Sequence, residues 1–267
     1  MLEGVVPFPT EFAKKYREKG YWLDKSLAQE FEPIFANYAG RIAFWDGDRS
    51  YTYKDIDQIS DRLALNLLDL GLKTLDRVVV QLPNVIEFVV TYFALQKIGC
   101  IPIAALATHR YMEVSQFVAL SGATTCIFPD RQGDFDFRPM IARVKNENAC
   151  LKFGLVLGEA GEGFLSLRDL IAAPSKRDPK ELKSIVIEPT DPAIFQLSGG
   201  TTGVPKLIPR THNDYAYNSK AAVKVCGIDS ESVLLLVLPI AHNLPLACPG
   251  LQGFMMQGGG FEPGLKQ

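Results

Sequence analysis

From about residue 55 to residue 157 the sequence alternates between helical and strand-like patterns, which limits the possible folds more than any other feature. Apolar residues recur at helical spacing in 55–70 and stop at Gly71. Further segments then alternate: a strand at 78–82, a helix at 84–98 with Asn84 as its expected cap, a strand at 101–105, a helix at 110–121, and strands at 124–128 and 152–157. This alternation favours an α/β fold with a parallel sheet flanked by helices.

Other segments flank this region. Residues 8–22 carry charges on an apolar frame and predict a short surface helix that ends near Gly20. Residues 44–53 predict a hairpin, because Asp46-Gly47 is a favoured tight-turn dipeptide between aromatic strand formers. We expect an N-terminal helix and hairpin (1–53), an α/β subdomain (54–172), a charge- and proline-rich surface connection (173–192), a functional segment (193–260) and a tail (261–267).

The composition argues against several classes of function. A net charge of -2 gives no electrostatic support for a nucleic-acid or membrane partner. We see neither a secretory signal nor a membrane-spanning apolar run, so we expect a cytoplasmic protein. With five scattered cysteines and three histidines, we predict no metal site and reduced, mostly buried thiols. Structural roles are expected for Cys100, Cys126, Cys150 and Cys226.

The clearest chemical signal is a loop rich in glycine, serine and threonine that is followed by a lysine. Glycines let backbone N–H groups approach an anion, while hydroxyls and a lysine add donors for phosphate. The loop is not a Walker A motif, because Pro205 precedes the lysine and Leu207 follows it. We expect it to lie between two strands; a turn without a ligand is the alternative. The candidate phosphate-binding residues are Ser198, Gly199, Gly200, Thr201, Thr202, Gly203 and Lys206.

A second candidate site follows an apolar run that ends at Pro239. His242 and Asn243 follow it after Ile240 and Ala241. A strand can deliver polar side chains in this way to a pocket at its carboxyl end. From these residues alone, a turn without a functional role is the favoured interpretation. His109, at an expected helix start, and His212, for which we expect a packing role, are weaker candidates.

Three stretches of the sequence resemble a known family. Residues 198–206, Ser-Gly-Gly-Thr-Thr-Gly-Val-Pro-Lys, resemble the phosphate-loop signature of the adenylate-forming superfamily of acyl-CoA synthetases, luciferases and peptide-synthetase adenylation domains. Residues 207–215 and 11–22 are similar to the stand-alone aryl-acid ligases, and the resemblance extends from about residue 7 to about residue 260. It implies the large N-terminal domain of the adenylate-forming fold, in which parallel sheets are flanked by helices.

The resemblance also implies roles for individual residues. Lys206 and His242 are the candidate catalytic residues, and His242 would wall off the acyl pocket beside the ATP site. Asn243 would hydrogen-bond a hydroxybenzoate. Cys248 would face the ring carbon that bears the 3-hydroxyl of 2,3-dihydroxybenzoate. Family members that use this acid have serine there, and a thiol is a weaker hydrogen-bonding partner, so salicylate is the favoured substrate.

The implied reaction joins salicylate or 2,3-dihydroxybenzoate to ATP, with Mg²⁺ on the phosphates, and releases pyrophosphate. The aryl group then passes to an aryl carrier protein of a nonribosomal peptide synthetase in siderophore biosynthesis. Family members are considerably longer; the C-terminal domain and its catalytic lysine have no counterpart here, and residues 261–267 do not resemble the expected strand. We therefore expect a truncated form that is inactive alone. The alternatives are an inactive fragment with residual nucleotide or partner binding, and an unrelated nucleotide-dependent kinase.

Overall fold

The computed structural model describes residues 2, 4–198 and 206–263. Its helices are α1 (Thr10–Glu18), α2 (Leu27–Asn37), α3 (Tyr53–Leu70), α4 (Ile86–Lys97), α5 (Tyr111–Ser121), α6 (Phe137–Glu147), α7 (Leu167–Ala172), α8 (Lys180–Lys183), α9 (His212–Cys226), α10 (Asn243–Ala247) and α11 (Gly250–Met256). Its strands are β1 (Ile42–Asp46), β2 (Arg49–Thr52), β3 (Arg77–Val80), β4 (Ile101–Ala104), β5 (Thr125–Pro129), β6 (Arg131–Gln132), β7 (Phe135–Asp136), β8 (Phe153–Leu157), β9 (Leu165–Ser166), β10 (Pro192–Leu197), β11 (Leu207–Thr211), β12 (Val233–Leu236) and β13 (Gly260–Pro263).

The central sheet has seven strands in the order β11-β10-β4-β3-β5-β8-β9. Adjacent strands run parallel, except for the antiparallel pair of β10 and β11. Alternate residues of β3 enter different hydrophobic clusters, because successive side chains of a strand point to opposite faces. Val78 packs in the cluster that contains Leu63 of α3, whereas Val79 packs with Phe117 of α5. Helices thus cover both faces of the sheet, which confirms the predicted α/β fold.

Helix α3 begins and ends where local chemistry predicts. The Thr52 hydroxyl accepts the Asp55 N–H at 3.1 Å, and the Asp55 carboxylate accepts the Thr52 N–H at 2.8 Å. These two reciprocal bonds satisfy backbone N–H groups that have no hydrogen-bond partner within the first helical turn. Gly71 then stops the helix in a left-handed conformation, with φ of 103°, which glycine adopts without steric strain.

A second sheet, in the order β12-β13-β1-β2, contains the predicted hairpin and corrects one expectation. β1 and β2 are the antiparallel hairpin strands around Asp46-Gly47. The expectation that residues after 260 depart from a strand is wrong for 261–263, since β13 pairs in parallel with both β1 and β12. Phe261 anchors this strand because it is fully buried, with its ring centroid 6.2 Å from that of Phe44. Residues 264–267 lie outside the described residues.

The central sheet joins two of the predicted chain divisions. β10 and β11, from the functional segment 193–260, extend the sheet built by residues 54–172. The connection between them, 173–192, carries the short helix α8 and ends as β10 begins. The proposed division into subdomains stays a prediction.

In the described residues, no helix combines the length and the apolar character needed to cross a membrane.

Candidate functional site

Three chain segments meet at a small cavity beside the carboxyl ends of β4 and β10. The cavity has a volume of about 90 Å³, and its polar lining comes from His109, Gln196, Ser198 and His242. β4 and β10 are parallel neighbours, so the residues that follow them emerge at the same edge of the sheet. This cavity brings together the candidate phosphate loop and the second candidate site.

The candidate phosphate loop is flanked by Ser198 and Lys206, which are joined by two reciprocal hydrogen bonds. The Ser198 N–H donates to the Lys206 carbonyl at 3.0 Å, and the Lys206 N–H donates to the Ser198 hydroxyl at 2.9 Å. The loop therefore connects the antiparallel strands β10 and β11, as the sequence predicts, and does not lead into a helix. The candidate residues Gly199, Gly200, Thr201, Thr202 and Gly203 lie outside the described residues, so their contacts stay predictions.

The Lys206 side chain is exposed at the edge of the sheet. No ion pair of Lys206 occurs in the described part of the chain. It lines a separate cavity of about 580 Å³, beside Phe195 and Leu207, and not the small cavity that contains Ser198. The structure thus places the Lys206 backbone next to Ser198, whereas the Lys206 side chain lies exposed beside the other cavity.

Asn84 binds the segment that precedes His242. The prediction that it caps α4 is wrong. The N-cap position belongs to Val85. The Asn84 amide donates to the carbonyls of Leu236 at 3.3 Å and Leu238 at 2.9 Å, and its oxygen accepts the Ile240 N–H at 2.8 Å. An asparagine can serve backbone donors and acceptors at once, and these tertiary partners replace the local cap.

The other predicted site residues lie around α10. His242 is exposed at the N-cap of α10, and the Asn243 side-chain oxygen is buried without a hydrogen-bond partner among the described residues. Asn243 and the partly buried Cys248 do not line the small cavity with His242. Helix α9 fixes the residue before Cys248, since Asn218 and Ser219 donate to the Ala247 carbonyl at 2.8 Å and 2.9 Å.

Sequence reasoning missed a polar group behind Cys248. The Gln196 amide donates to the buried Tyr215 hydroxyl at 3.1 Å, and the Arg210 guanidinium lies 5.1 Å from the centroid of the Tyr215 ring. Burial opposes the charge of Arg210, but its hydrogen bond with Asp214 and the Asp214 charge outweigh this, and the pKa of Arg210 is raised. Two sequence signals could have indicated this group. One is the polar Gln196 inside an apolar strand run, and the other is the i,i+4 spacing of Arg210 and Asp214.

His212 and three of the remaining cysteines are buried or half-buried, which is consistent with the expected structural roles. His212 is buried, and its Nδ1 accepts the Leu27 N–H at 3.1 Å; burial lowers its pKa to about 3. Cys100 and Cys126 are buried, and Cys150 is half-buried. The expectation is wrong for Cys226, which is exposed because it occupies the last turn of α9 on its solvent side. Within the described ranges, no three His, Cys, Asp or Glu residues cluster as a metal site.

Similar proteins support the resemblance to aryl-acid ligases. A 2,3-dihydroxybenzoate-AMP ligase of Bacillus subtilis is 43% identical over 259 residues, which is 97% of this chain and 47% of the relative. A salicyl-AMP ligase / salicyl-S-ArCP synthetase of Mycobacterium tuberculosis is 40% identical over 262 residues, 96% of this chain and 46% of the relative. The chain thus spans about half the length of the curated relatives it matches.

A solved structure extends this likeness from sequence to fold. The apo structure of Mycobacterium smegmatis MbtA superposes with a TM-score of 0.89 at 38% identity, covering 97% of this chain and 47% of that one. Residues 31–260 match the family described as AMP-binding enzyme. This match includes both the phosphate-loop strands and the His242 turn. The chain belongs to the AMP-binding enzyme family.

Proposed function

We propose that this chain supplies the phosphate loop and the aryl-acid pocket of an aryl-acid-AMP ligase. One observation carries the proposal: Ser198, at the base of the phosphate loop, and His242, at the predicted acyl pocket, line the same cavity although they are far apart in sequence. A reaction between an acid and a nucleotide phosphate requires adjacent sites for the two substrates. The family and the aryl-acid-AMP ligases among the relatives support this assignment.

The proposed reaction makes few demands on acid–base groups. An ionised carboxylate oxygen attacks the α-phosphorus of ATP, and the bond to pyrophosphate breaks, so no proton has to be removed from the acid. Catalysis then rests on positioning and on stabilising phosphate charge. Lys206 would pair with phosphate oxygens, while the candidate hydroxyls and glycine N–H groups of the loop would bind them.

We also propose that Mg²⁺ accompanies ATP and neutralises part of its phosphate charge. Mg²⁺ commonly takes its ligands from substrate phosphates and water with one or two protein carboxylates. Ser198 is the described hydroxyl nearest the loop that could approach the phosphates.

Salicylate is the proposed substrate, ahead of 2,3-dihydroxybenzoate. The relatives include ligases named for each acid, at 40% and 43% identity, so overall similarity does not choose between them. Cys248 supports salicylate, because a thiol is a weak partner for the additional 3-hydroxyl. The proposed acceptor of the aryl group is an aryl carrier protein of a nonribosomal peptide synthetase in siderophore biosynthesis.

Equilibrium binding of a hydrolysis-resistant salicyl adenylate, measured by calorimetry with AMP as reference, tests the proposal. We expect saturable binding to one site that is tighter than the binding of AMP. Lys206→Ala should weaken it by roughly tenfold or more, since a charge-assisted hydrogen bond contributes about 1.5–3 kcal/mol. Lys224→Ala, which removes an exposed lysine of α9, is the matched control and should have no effect. Equal affinity for AMP and the adenylate would support the alternative of residual nucleotide binding.

ATP–pyrophosphate exchange separates binding from turnover. We expect no exchange from these 267 residues alone, because they span about half of the relatives and so supply only part of the contacts available to those enzymes. Exchange with salicylate at rates typical of complete ligases would contradict this expectation. The kinase alternative is disfavoured, because strand β11 follows the loop where a Walker A motif requires a helix.

A further inference from the structure

The turn that carries His109 is held rigidly at the carboxyl end of β4. Gln81, which follows β3, donates from its amide to the carbonyls of Leu106 at 2.7 Å and His109 at 2.9 Å. The His109 N–H donates back to the Leu106 carbonyl at 3.0 Å. A turn with its backbone groups satisfied in this way fixes the position from which the imidazole enters the cavity.

The hydrogen bonding of the His109 ring selects one tautomer. The Leu106 N–H donates to Nδ1 of His109 at 3.0 Å, so Nδ1 acts as an acceptor and the proton of the neutral ring is on Nε2. The ring also packs edge-on against Phe117, with centroids 5.2 Å apart. Both contacts fix the plane of the imidazole and leave its Nε2–H group to serve another acceptor.

The groups around His109 keep its ring neutral near pH 7. Burial lowers the pKa of His109; the Glu113 carboxylate opposes this change, while His242 and Arg110 add to it. Because Glu113 also accepts the Arg110 N–H at the start of α5, its charge is shared with the helix terminus. A neutral His109 is a donor at Nε2 that does not repel a second imidazole.

His109 and His242 line the same cavity. The volume of this cavity is about 90 Å³. His242 is exposed and lacks a side-chain capping bond at the start of α10, so its own helix does not set its ring orientation. A hydrogen-bond donor on the turn after β4, such as His109, can fix the orientation of the His242 ring.

We propose that His109 is a positioning residue that donates from Nε2 across the cavity and fixes the ring orientation of His242. Its importance for aryl-acid binding rests on the proposed function, whereas the proposed hydrogen bond between the two rings does not. A fixed His242 ring would keep the wall between the acid and phosphate sites in place. Loss of the donor leaves the ring free to rotate toward solvent.

Histidine NMR tests this contact without nucleotide or aryl acid, so its failure is distinct from failure of the proposed function. The chain has three histidines, and single substitutions assign their ring signals. In the unsubstituted chain we expect the Nε2–H tautomer for His109 and a single dominant tautomer for His242, read from the ring ¹⁵N shifts. An Nδ1–H tautomer at His109 would overturn the proposal, and this measurement needs no variant.

Two substitutions separate the donor from the packing of His109. Asparagine places an acceptor near the Nδ1 position, and glutamine places a donor near the Nε2 position. We expect His109→Asn to shift the His242 signals toward those of a free imidazole, and His109→Gln to restore them. The His212 signals should be constant in both variants, as an internal control. Unchanged His242 signals in His109→Asn, or the same change in both variants, would overturn the proposal.

Discussion

The side-chain oxygen of Asn84 accepts the N–H of Ile240 at 2.8 Å and so ties the end of β3 to the turn that presents His242. The same side chain donates to the carbonyls of Leu236, the last residue of β12, and of Leu238 in the turn. One asparagine therefore satisfies three backbone groups between the end of β12 and the turn before His242.

We predict that Asn84→Ala destabilises the fold and loosens the turn. Backbone groups left without partners contribute a loss of about 1–3 kcal/mol each where water cannot replace the bond, so the free energy of unfolding should fall by at least about 1 kcal/mol. Chemical denaturation measures the change. Asn146→Ala on the exposed face of α6 is the control. Equal stabilities of the two variants would show that the Asn84 contacts are not significant.

Cys248 is expected to control the choice of aryl acid. Cys248→Ser should improve binding of the 2,3-dihydroxybenzoyl adenylate relative to the salicyl adenylate by roughly tenfold, since the hydroxyl can pair with the 3-hydroxyl group at about 1–3 kcal/mol. Calorimetry with the two hydrolysis-resistant adenylates measures this ratio. Cys226→Ser, at an exposed thiol, is the control. An unchanged ratio in Cys248→Ser would remove the basis for the salicylate assignment.

His212 should make stability depend on pH. Its ring is neutral in the fold, where burial lowers the pKa to about 3, whereas it binds a proton below about pH 6.5 in the unfolded chain. The stability that it contributes is complete above about pH 6.5 and is lost as the pH falls toward 3. The slope from this group is at most about 1.4 kcal/mol per pH unit.

His212→Asn tests this origin, because asparagine can still accept the Leu27 N–H but does not titrate. The free energy of unfolding at pH 7, 6 and 5 should fall less steeply with acid in this variant. His109, whose pKa is also lowered, contributes in the same direction and leaves a residual slope. An identical slope in the variant and the unsubstituted chain would rule out His212 as its source.

Exposed apolar side chains along β12, in the turn after it and at the start of α10 predict self-association. Val233, Leu235, Val237, Leu238 and Leu244 are each more than half exposed, at 52–59%. β12 is also the edge strand of its sheet. Contiguous apolar surface next to an unpaired strand edge favours association.

Sedimentation velocity measures this association over a range of concentrations. We expect Leu235→Lys to reduce the oligomer fraction. Met112→Lys, at an exposed apolar residue remote from β12, should leave that fraction unchanged. A monomer at all concentrations in the unsubstituted chain would contradict the prediction.

Local sequence signals predicted most elements of the central sheet, because their causes lie within a few residues. The capping pair of Thr52 and Asp55 and the stop at Gly71 are examples. Long-range contacts were the source of the errors. Asn84 follows a strand and precedes a helix, as a cap would, but its partners are more than 150 residues away in the chain. The order of residues alone does not favour those partners over a local cap.

In the candidate site, too, local features were predicted from the sequence and long-range contacts were not. The glycine-rich loop was recognisable from composition, and the strands on both sides of it are as predicted. The contribution of His109 to the cavity could not be recognised from the sequence, because it depends on how β4 and β10 lie beside each other in the sheet. Strand β13 was missed because the anchoring of one buried residue, Phe261, outweighs the polar and proline residues that follow it.

Mapping the binding of the salicyl adenylate on the ¹⁵N-labelled chain tests the central claim most directly. If the phosphate loop and the His242 turn form one site, the amide signals of Ser198, Lys206 and His242 should shift together as the ligand saturates. A different cavity, of about 220 Å³ and lined by Asp57, Asp61 and Lys97, provides the contrast. Shifts confined to that cavity, or no saturable shifts at Ser198 and His242, would contradict the assignment of the site.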